Sequence, residues 1–429
     1  MGVSRLPDGP GLHVLVVGGG GREHALAWAC QRSPMVERVS CAPGNGGTLR
    51  VGQNHPVSAT DAEGIVALAV SEQVDLVVLG PDAAVAAGVG DAAFRANVLC
   101  FGPSQQAGRL ESSKSFAKEL MQRAGVATPA FAVFDDHREA SEYLLRRGAP
   151  VVVKADGPAL GKGAFVCPTF EDASAALDRL MLRRELGASG DRVVIEECLE
   201  GEEESFFAIC DGESAVMLPP ARDYKRALDG DLGGMTGGMG GFAPASPERW
   251  PGLNRRVREE IVAPTLTELR RLGTPYRGCL YVGAMLVGDT IQVLEFNARF
   301  GDPEIEVQLP LLPDLVPVLW QSARGELEAP DPAPDPGACV GVVAVREPYP
   351  EAVQGGGAVQ GLEAAEELGC LVFQMGTRAV SGDAVEVSGG RVLISAAVAE
   401  SRESARKRAY LGLEAISFPG MRYRLDIGA

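Results

Sequence analysis

The feature that most constrains the fold is an alternation of short apolar runs with helical patterns over residues 12–103. The apolar runs have the length of strands and cover 12–17, 38–42, 74–79 and 98–101. The helical patterns between them cover 23–32, 61–72 and 83–96, and Asp61 is placed to cap the second. Because strands that alternate with helices pair in parallel through right-handed crossovers, the sequence predicts an α/β domain built on a parallel sheet.

Two further regions follow along the chain. In the second, the pattern predicts helices at 114–124 and 170–182 and strands at 131–134, 151–153 and 193–195. The segment 202–323 adds several strands and a long helix near 254–272, and the acidic, proline-rich residues 326–337 are typical of a linker. The C-terminal unit has predicted strands near 340–345, 371–374 and 391–398 and a helix near 400–415. We therefore predict domains at 1–104, 105–330 and 331–429.

Charge and composition exclude several classes of protein. The 429 residues carry 40 Lys and Arg against 57 Asp and Glu, a net charge of −17, which argues against a nucleic-acid binder that neutralises many phosphates. No apolar run approaches the length of a membrane span, and the first residues lack the apolar core of a signal peptide. The nine cysteines include no CxxC pair, so we expect free thiols and a cytoplasmic location.

Lysine is scarce in this chain. There are six lysines and 34 arginines, so arginine supplies the general surface charge, and each lysine is more often expected where a compact ammonium is needed. The six are Lys114, Lys118, Lys154, Lys162, Lys225 and Lys407. Four of them fall inside the motifs described next.

A glycine-rich turn joins the first strand to the first helix. Residues 18–21 are all glycine, and Arg22 and Glu23 follow. Such a turn exposes backbone N–H groups and the positive end of a helix to an anion. The dinucleotide-binding fingerprint fails, because Glu23 stands where its third glycine belongs. The turn therefore indicates phosphate or sugar-phosphate binding, with a purely structural tight turn as the alternative.

A second glycine-rich loop, 157–163, follows the strand that ends at Lys154. It is one residue shorter than a P-loop and lacks the final Ser or Thr, which favours a flexible clamp over a nucleotide. Lys154 would be costly to bury without a partner, and a phosphate would supply one. The alternative is a lysine that reaches the surface. Glu196 and Glu197 end a later strand, and their pattern alone favours a solvated strand exit.

The segment 293–304 is the most informative. Side chains of a strand alternate between faces, so Glu295, Asn297 and Arg299 share one face while Leu294, Phe296 and Ala298 share the other. A carboxylate and an amide oxygen two residues apart are ligands that Mg²⁺ takes alongside phosphate oxygens. An edge strand with a solvated polar face is the alternative. The loop 233–240 has five glycines in eight positions, which indicates close approach of its backbone to a ligand.

These motifs occur in a fixed order along almost the whole chain. They are GGGGREHALAW (18–28), APGNGGT (42–48), FGP (101–103), SSKSF (112–116), VKADGPALGKG (153–163), VIEECLEGEE (194–203), DYKR (223–226), TGGMGGFAP (236–244), LYVGAM (280–285) and LEFNARFGDPE (294–304). In this ordered set the chain resembles the phosphoribosylamine–glycine ligases of the ATP-grasp superfamily.

The resemblance implies a fold and an activity. The fold would be an α/β protein with a parallel-sheet N-terminal domain that binds substrate, an ATP-grasp region with a mobile lid at about 126–195, and a small α+β C-terminal domain. The activity would join glycine to 5-phosphoribosylamine through glycyl phosphate, with ATP as co-substrate and Mg²⁺, or alternatively Mn²⁺, as the metal. The expected partners are these small molecules, with no nucleic acid, membrane or obligate protein partner.

The resemblance also implies roles for individual residues. ATP would be held by Lys114, Lys154, Gly161, Lys162, Gly163, Glu196, Cys198, Leu199 and Glu203, and the metal by Glu295 and Asn297. The catalytic residues would be Arg299, Lys225 and Asp223. The other substrates would be bound by Gly20, Arg22, Glu23, Asn45, Asp82, Gly237, Gly238 and Asp302.

The chain departs from the usual family pattern at a few positions. Gly234 and Met235 replace Pro-Asn before the TGGMG segment, and Ile305 and Glu306 replace Thr-Gln after GDPE. The metal and phosphate residues are retained, so any drift is expected in the specificity for the acceptor or the amino acid. Two alternatives therefore stay open: an ATP-grasp carboxylate–amine ligase with a changed substrate, and a nucleotide-binding paralogue without turnover.

Overall fold

The structure, a computed structural model, describes residues 11–159, 163–351, 353–381 and 384–429. The N-terminal region forms a five-stranded sheet in the order β3-β2-β1-β4-β5, with every pair parallel as predicted. Its strands are β1 (Leu12–Gly18), β2 (Val36–Pro43), β3 (Gln53–Asn54), β4 (Leu76–Leu79) and β5 (Cys100–Phe101). Its helices are α1 (Gly21–Arg32), α2 (Ala62–Ser71), α3 (Asp82–Ala86) and α4 (Val89–Arg95).

One predicted helix is divided in two. The pattern over 83–96 predicts a single helix, but the structure ends α3 at Ala86 and starts α4 at Val89. Gly88 between them has a φ of +77°, in the left-handed region that glycine tolerates, so the chain changes direction there. The cap predicted for the preceding helix is confirmed, because the Asp61 carboxylate accepts the N–H of Gly64 at 2.9 Å.

The lid region is a small unit with its own apolar core. Its antiparallel sheet has the order β6-β9-β7-β8. The elements from the end of the first domain through this unit are α5 (Arg109–Ser112), α6 (Lys114–Ala124), β6 (Phe131–Phe134), α7 (His137–Arg147), β7 (Val151–Ala155), β8 (Ala164–Cys167), α8 (Phe170–Leu177) and β9 (Val193–Glu197). Side chains from α7, α8 and the sheet, such as Leu144, Leu177 and Val153, form a core separate from that of the rest.

A second antiparallel sheet, in the order β11-β10-β16-β17, carries the most informative motif on its edge strand. Its strands are β10 (Glu202–Asp211), β11 (Ala215–Met217), β16 (Arg277–Val287) and β17 (Thr290–Asn297). The long helix predicted near 254–272 is found as α9 (Trp250–Val257) and α10 (Ala263–Arg271), joined by a π-helical segment, Arg258–Val262. Two short helices, α11 (Glu304–Gln308) and α12 (Val316–Arg324), follow β17.

The C-terminal sheet draws strands from two regions of sequence. Its order is β12-β15-β18-β22-β19, and β23 pairs with β18. Strands β12 (Arg222–Asp223) and β15 (Gly240–Ala243) come from the central region, as does the separate hairpin β13 (Arg226–Leu228) and β14 (Leu232–Met235). The remaining elements are β18 (Ala338–Arg346), α13 (Leu362–Glu367), β19 (Leu371–Gln374), β20 (Thr377–Ser381), β21 (Ala384–Val387), β22 (Arg391–Ala399), α14 (Arg402–Ala415) and β23 (Met421–Arg422).

One apolar cluster draws residues from all three regions and none from the lid, and the N-terminal and central regions each have a further cluster of their own. At the contact between the first and last regions, the rings of His24 and Trp28 on α1 stand edge-on against Phe373 of β19. No helix within the described residues combines the length and apolar character needed to cross a membrane. The glycine-rich turn at Gly20 and the loop at Gly237 and Gly238 both lie close to Asp302 and Pro303, just after β17.

Candidate active site

The polar face of β17 is shaped by an irregularity in the strand. Gly283 of β16 pairs with Glu295 and Ala284 pairs with Val293, so Leu294 between them has no partner in the ladder. The alternation predicted for the apolar face holds at Phe296 and Ala298, which are buried, but Leu294 is only half-buried because the bulge moves it out of register. The carbonyl of Leu294 instead accepts a hydrogen bond from Nζ of Lys154 at 3.0 Å.

Glu295 is surrounded by cations. Burial alone would raise the pKa of its carboxyl, but Lys114, Lys225, Lys154 and Arg299 together lower that pKa to about 2. The carboxylate is therefore ionised at every ordinary pH. Such a group can serve as a hard-oxygen ligand while the cations around it remain available to phosphate oxygens.

Arg299 is held by an acid from another part of the chain. Its Nη2 lies 2.9 Å from Oε1 of Glu111, and Oε2 of Glu111 accepts the N–H of Ala298 at 2.7 Å. Burial alone would lower the pKa of the Arg299 guanidinium, but the carboxylates of Glu111 and Asp82 raise it above its ordinary value. Nη2 also approaches Oδ1 of Asn297 at 3.4 Å. The guanidinium is thus fixed, charged and next to the predicted metal ligands.

Lys154 and Glu196 meet inside the molecule. Nζ of Lys154 lies 2.9 Å from Oε2 of Glu196, and Nζ of Lys118 lies 3.1 Å from Oε1 of the same carboxylate. All three side chains are almost fully buried. Glu196 is therefore not at a solvated strand exit, whereas Glu197 next to it is exposed.

Asp223 and Lys225 lie near Glu295 of β17. Nζ of Lys225 is 4.0 Å from Oδ1 of Asp223 and forms a closer ion pair with Glu203. Burial raises the pKa of the Asp223 carboxyl, and Lys225 opposes that shift. The pKa of Lys225 stands well above its ordinary value, because the carboxylates of Asp223 and Glu203 outweigh its burial. Lys225 therefore stays charged, and its ammonium acts on the Glu295 carboxylate.

A C-terminal arginine ties two of the loops together. Nη1 of Arg391 donates to the carbonyls of Gly237 at 2.7 Å and Asp302 at 3.1 Å, and it pairs with Oδ1 of Asp302 at 2.9 Å. A Cβ on Gly238 would lie 2.4 Å from Cδ of Pro303, so the loop can approach the GDPE segment only with glycine there. Gly237 and Gly238 are thereby placed against Asp302.

The N-terminal turn is closed by Glu23. Its carboxylate accepts the N–H of Gly20 at 2.6 Å and Nε of Arg22 at 2.6 Å. A Cβ on Gly18 would lie 2.5 Å from Cγ of Glu23, and one on Gly80 would lie 2.1 Å from Oε1. Arg22 also donates to the carbonyl of Phe300 at 3.2 Å. The turn, its arginine and the end of β17 are therefore one connected structure.

Asn45 and His24 link the N-terminal region to β19. Nδ2 of Asn45 donates to the carbonyl of Gln374 at 2.7 Å, while its Oδ1 accepts the N–H groups of Gly47 and Thr48. Nδ1 of His24 accepts the N–H of Gln374 at 2.8 Å, and burial lowers the pKa of that imidazole to about 3. The Asn45 amide is thus fully engaged within the protein.

The other predicted site residues have simpler surroundings. Lys114 and Asp82 are half-buried at the first residues of α6 and α3, and Cys198 and Leu199 are half-buried in the segment after β9. Gly163 is buried, and its carbonyl accepts the N–H of Ala155 at 2.8 Å. Gly161 and Lys162 lie outside the described residues.

Comparison with family models decides the relationship of this chain. The model of the phosphoribosylglycinamide synthetase ATP-grasp (A) domain matches residues 112–305. The models of the N and C domains of the same synthetase match residues 12–111 and 339–429. The chain belongs to the phosphoribosylglycinamide synthetase family.

Relatives of this synthetase family match over nearly the full length. The phosphoribosylamine–glycine ligase of Caulobacter vibrioides is 44% identical over 419 residues, covering 97% of this chain and 98% of that protein. The crystal structure of the phosphoribosylamine–glycine ligase of Thermotoga maritima has a TM-score of 0.85 at 34% identity and covers 97% of this chain and all of that one. The predicted α/β fold with an ATP-grasp centre is confirmed.

A more distant neighbour shows the fold alone. The biotin carboxylase domain of the Hydrogenobacter thermophilus 2-oxoglutarate carboxylase, solved with ADP and magnesium, has a TM-score of 0.71 at 16% identity. ATP-grasp enzymes use ATP and a divalent metal. Within the described residues of this synthetase-family chain, no three His, Cys, Asp or Glu side chains are grouped to hold a metal. Glu295 and Asn297 nevertheless suit a divalent cation that takes its remaining ligands from phosphate and water.

Sequence reasoning did not predict three residues of the site. Glu111, Lys118 and Arg391 come from three separate elements and approach the predicted residues only through tertiary packing. The scarcity of lysine was the one sequence signal that could have pointed to Lys118. Nothing in the local pattern distinguishes Glu111 or Arg391 from other charged residues.

Proposed function

We propose that this chain ligates glycine to 5-phosphoribosylamine at the expense of ATP, giving glycinamide ribonucleotide, ADP and inorganic phosphate. The observation that carries the proposal is the convergence of Lys154, Arg299 and the Asp223–Lys225 pair on the ionised carboxylate of Glu295. Full-length membership of the phosphoribosylglycinamide synthetase family supports the choice of substrates.

The first step activates a poor electrophile. A carboxylate oxygen of glycine attacks the γ-phosphorus of ATP, the bond to the β-phosphate oxygen breaks, and ADP leaves. Lys114 and Lys154 position the phosphates, and Arg299 neutralises charge on the transferring phosphoryl group. Because Glu111 holds the guanidinium of Arg299 in place, little reorganisation is needed when that charge develops.

The metal belongs to the same step. Glu295 and Asn297 would hold Mg²⁺, with Mn²⁺ as an alternative, and the ion would neutralise phosphate charge when it is bound. The protein supplies the two oxygens, on adjacent same-face positions of β17, and keeps Glu295 ionised.

The second step forms the amide. The amine of 5-phosphoribosylamine attacks the acyl carbon of glycyl phosphate, the bond to the phosphate oxygen breaks, and phosphate and one proton are released. Asp223 and Lys225, with the Gly237–Gly238 backbone, would hold the acyl phosphate. The turn at Gly20, Arg22 and Glu23, with Asn45 and Asp82 nearby in the N-terminal region, would position the sugar phosphate at the start of α1.

The second candidate function is an ATP-grasp ligase that uses a different acceptor or a different amino acid. One observation favours it. Glu306, where the family usually has Gln, is completely buried against Gly21, at the turn proposed for the sugar phosphate. A carboxyl group at that point lacks the amide N–H donors of Gln, which changes the hydrogen-bonding groups behind the acceptor turn. Retention of Lys114, Lys154, Glu295, Asn297 and Arg299 favours an active enzyme over a paralogue without turnover.

The test is release of inorganic phosphate with ATP, Mg²⁺ and glycine, with and without freshly made phosphoribosylamine. We expect release that depends on both glycine and the amine, together with glycinamide ribonucleotide as a product. Release with another amino acid or another amine, and none with this pair, would support the second candidate. Binding of nucleotide without release in any combination would support the paralogue.

A further inference from the structure

Lys118, Lys154 and Glu196 form a buried cluster of charged side chains. Lys118 is the member of this cluster that lies outside the sequence motifs. Its ammonium contacts Glu196 at 3.1 Å and Oγ1 of Thr128 at 2.6 Å, and the Thr128 hydroxyl donates to the carbonyl of Val293 at 2.7 Å. The side chain is 2% exposed. In a chain that uses arginine for general charge, this lysine is fixed from three elements, α6, β9 and the segment before β6.

The charges of the cluster do not balance. Lys118 and Lys154 contribute two ammonium groups, and Glu196 contributes the one carboxylate in direct contact with both. The carboxylate of Glu295 also acts on these lysines, but Lys114, Lys225 and Arg299 share it. An excess charge in the protein interior is unfavourable unless something compensates for it. A nucleotide phosphate at Lys154 would supply that compensation, and Lys118 lies too deep to contact it directly.

We propose that Lys118 is a positioning residue for nucleotide binding: by sharing the Glu196 carboxylate, it leaves Lys154 with uncompensated positive charge for the phosphates of a nucleoside triphosphate. The inference rests on the proposed function, because that function places the phosphates at Lys154. Without the charge of Lys118, Glu196 and Lys154 form a neutral pair, and the ammonium of Lys154 is held more tightly away from the ligand.

The same geometry makes nucleotide affinity depend on pH. Burial lowers the pKa of the Lys118 ammonium to about 8; Glu196 and Glu295 oppose that shift, and Lys154 adds to it. These are the charged groups that face Lys118 from β9, β17 and β7. Bound phosphate favours the protonated form, so affinity is full below about pH 8 and falls as the pH rises through that value.

The experiment compares the dissociation constant for Mg²⁺–ATP, measured calorimetrically with the full chain, in wild type, Lys118→Met and Lys118→Arg. We expect roughly tenfold weaker binding for Lys118→Met at about pH 7, with the KM for glycine unchanged, and partial recovery for Lys118→Arg. Wild-type affinity should fall by about tenfold between about pH 7 and about pH 9.5 and approach that of Lys118→Met, whose own profile should stay flat.

Two controls separate the possible outcomes. Lys407→Met changes an exposed lysine of α14 that pairs with Glu403, and its binding should match that of wild type. Lys154→Met tests the nucleotide site itself, and unchanged binding in that variant would defeat the proposed function instead. If Lys154→Met loses affinity while Lys118→Met binds as wild type with the same pH profile, the role of Lys118 is overturned. The wild-type pH profile decides the question even if Lys118→Met fails to fold.

Discussion

Arg299 and Glu111 form an ion pair in which the acid also fixes the backbone beside the arginine. One oxygen of Glu111 lies 2.9 Å from Nη2 of Arg299, and the other accepts the N–H of Ala298 at 2.7 Å. The acid therefore controls both the side chain and the main chain of the segment that follows Glu295 and Asn297. Since burial raises the pKa of the Glu111 carboxyl, its ionised form depends largely on the contact with Arg299.

Replacing Glu111 with Gln should lower kcat about tenfold to a hundredfold and leave the KM for ATP and glycine nearly unchanged. The substitution removes the charge that holds the Arg299 guanidinium, a loss of ~1.5–3 kcal/mol, but retains an acceptor for the N–H of Ala298. Steady-state kinetics of phosphate release measure the effect. Glu119→Gln, an exposed change on α6, is the control. An unchanged kcat in Glu111→Gln would mean that Arg299 needs no such support.

The double variant Glu295→Gln, Asn297→Ala should abolish turnover while the protein stays folded. The apolar residues on the other face of β17, such as Phe296, are untouched, so the sheet should form as before. Turnover at several Mg²⁺ concentrations and the far-ultraviolet circular dichroism spectrum provide the two measurements. A folded double variant with wild-type turnover would remove both residues from the metal site.

Local patterns predicted the secondary structure well where strands and helices follow regular periods. The parallel sheet, the capped helix at Asp61 and the helix of the C-terminal unit were all predicted. Sequence periodicity could not predict that β12 and β15 join the C-terminal sheet, because strand partners are chosen by tertiary packing. The bulge at Leu294 was missed for the same reason: its register is set by pairing with β16.

The site shows the same division. Glu295, Asn297 and Arg299 are recognisable because they lie on one strand at a spacing of two residues. Glu111 and Lys118 come from elements that are distant from this strand in sequence. Each lies beside a charged partner, and this contact is visible only in the folded chain. Sequence reasoning thus identifies groups that could meet the substrates, whereas the residues that position those groups require the structure. The role of each predicted ligand-binding residue stays a prediction until it is measured.

Substituting Arg22 with Ala should raise the KM for phosphoribosylamine by roughly tenfold to a hundredfold, because the proposed charge-assisted hydrogen bond to the sugar phosphate would be lost. The KM values for ATP and glycine should barely move. Arg22 also pairs with Glu23 at 2.6 Å, so some loss of thermal stability is expected as well. Arg22→Lys, which keeps the charge, should recover part of the affinity, and Arg32→Ala, an exposed change at the end of α1, is the control. Equal increases in all three KM values would identify the turn as scaffold.

The last prediction concerns the stability of the protein at alkaline pH. Glu306 is fully buried, and neither carboxylate oxygen has a hydrogen-bond partner among the described residues. Burial, assisted by the charge of Asp302, raises the pKa of its carboxyl well above the ordinary value. A pKa that is raised in the folded state means that the free energy of unfolding falls as the pH rises from the unfolded value toward the folded one.

Glu306→Gln, which restores the amide usual in the family, should therefore raise the thermal midpoint by about 1–4 °C at about pH 8 and by much less at about pH 5. At the lower pH the wild-type carboxyl is protonated and behaves like the amide, so the two proteins should unfold at similar temperatures. Thermal unfolding of both proteins at the two pH values measures the difference, and Glu248→Gln, at an exposed position, is the matched control. If the midpoints of wild type and Glu306→Gln differ equally at both pH values, the pKa of the Glu306 carboxyl is the same in the folded and unfolded protein, and its burial carries no charge penalty.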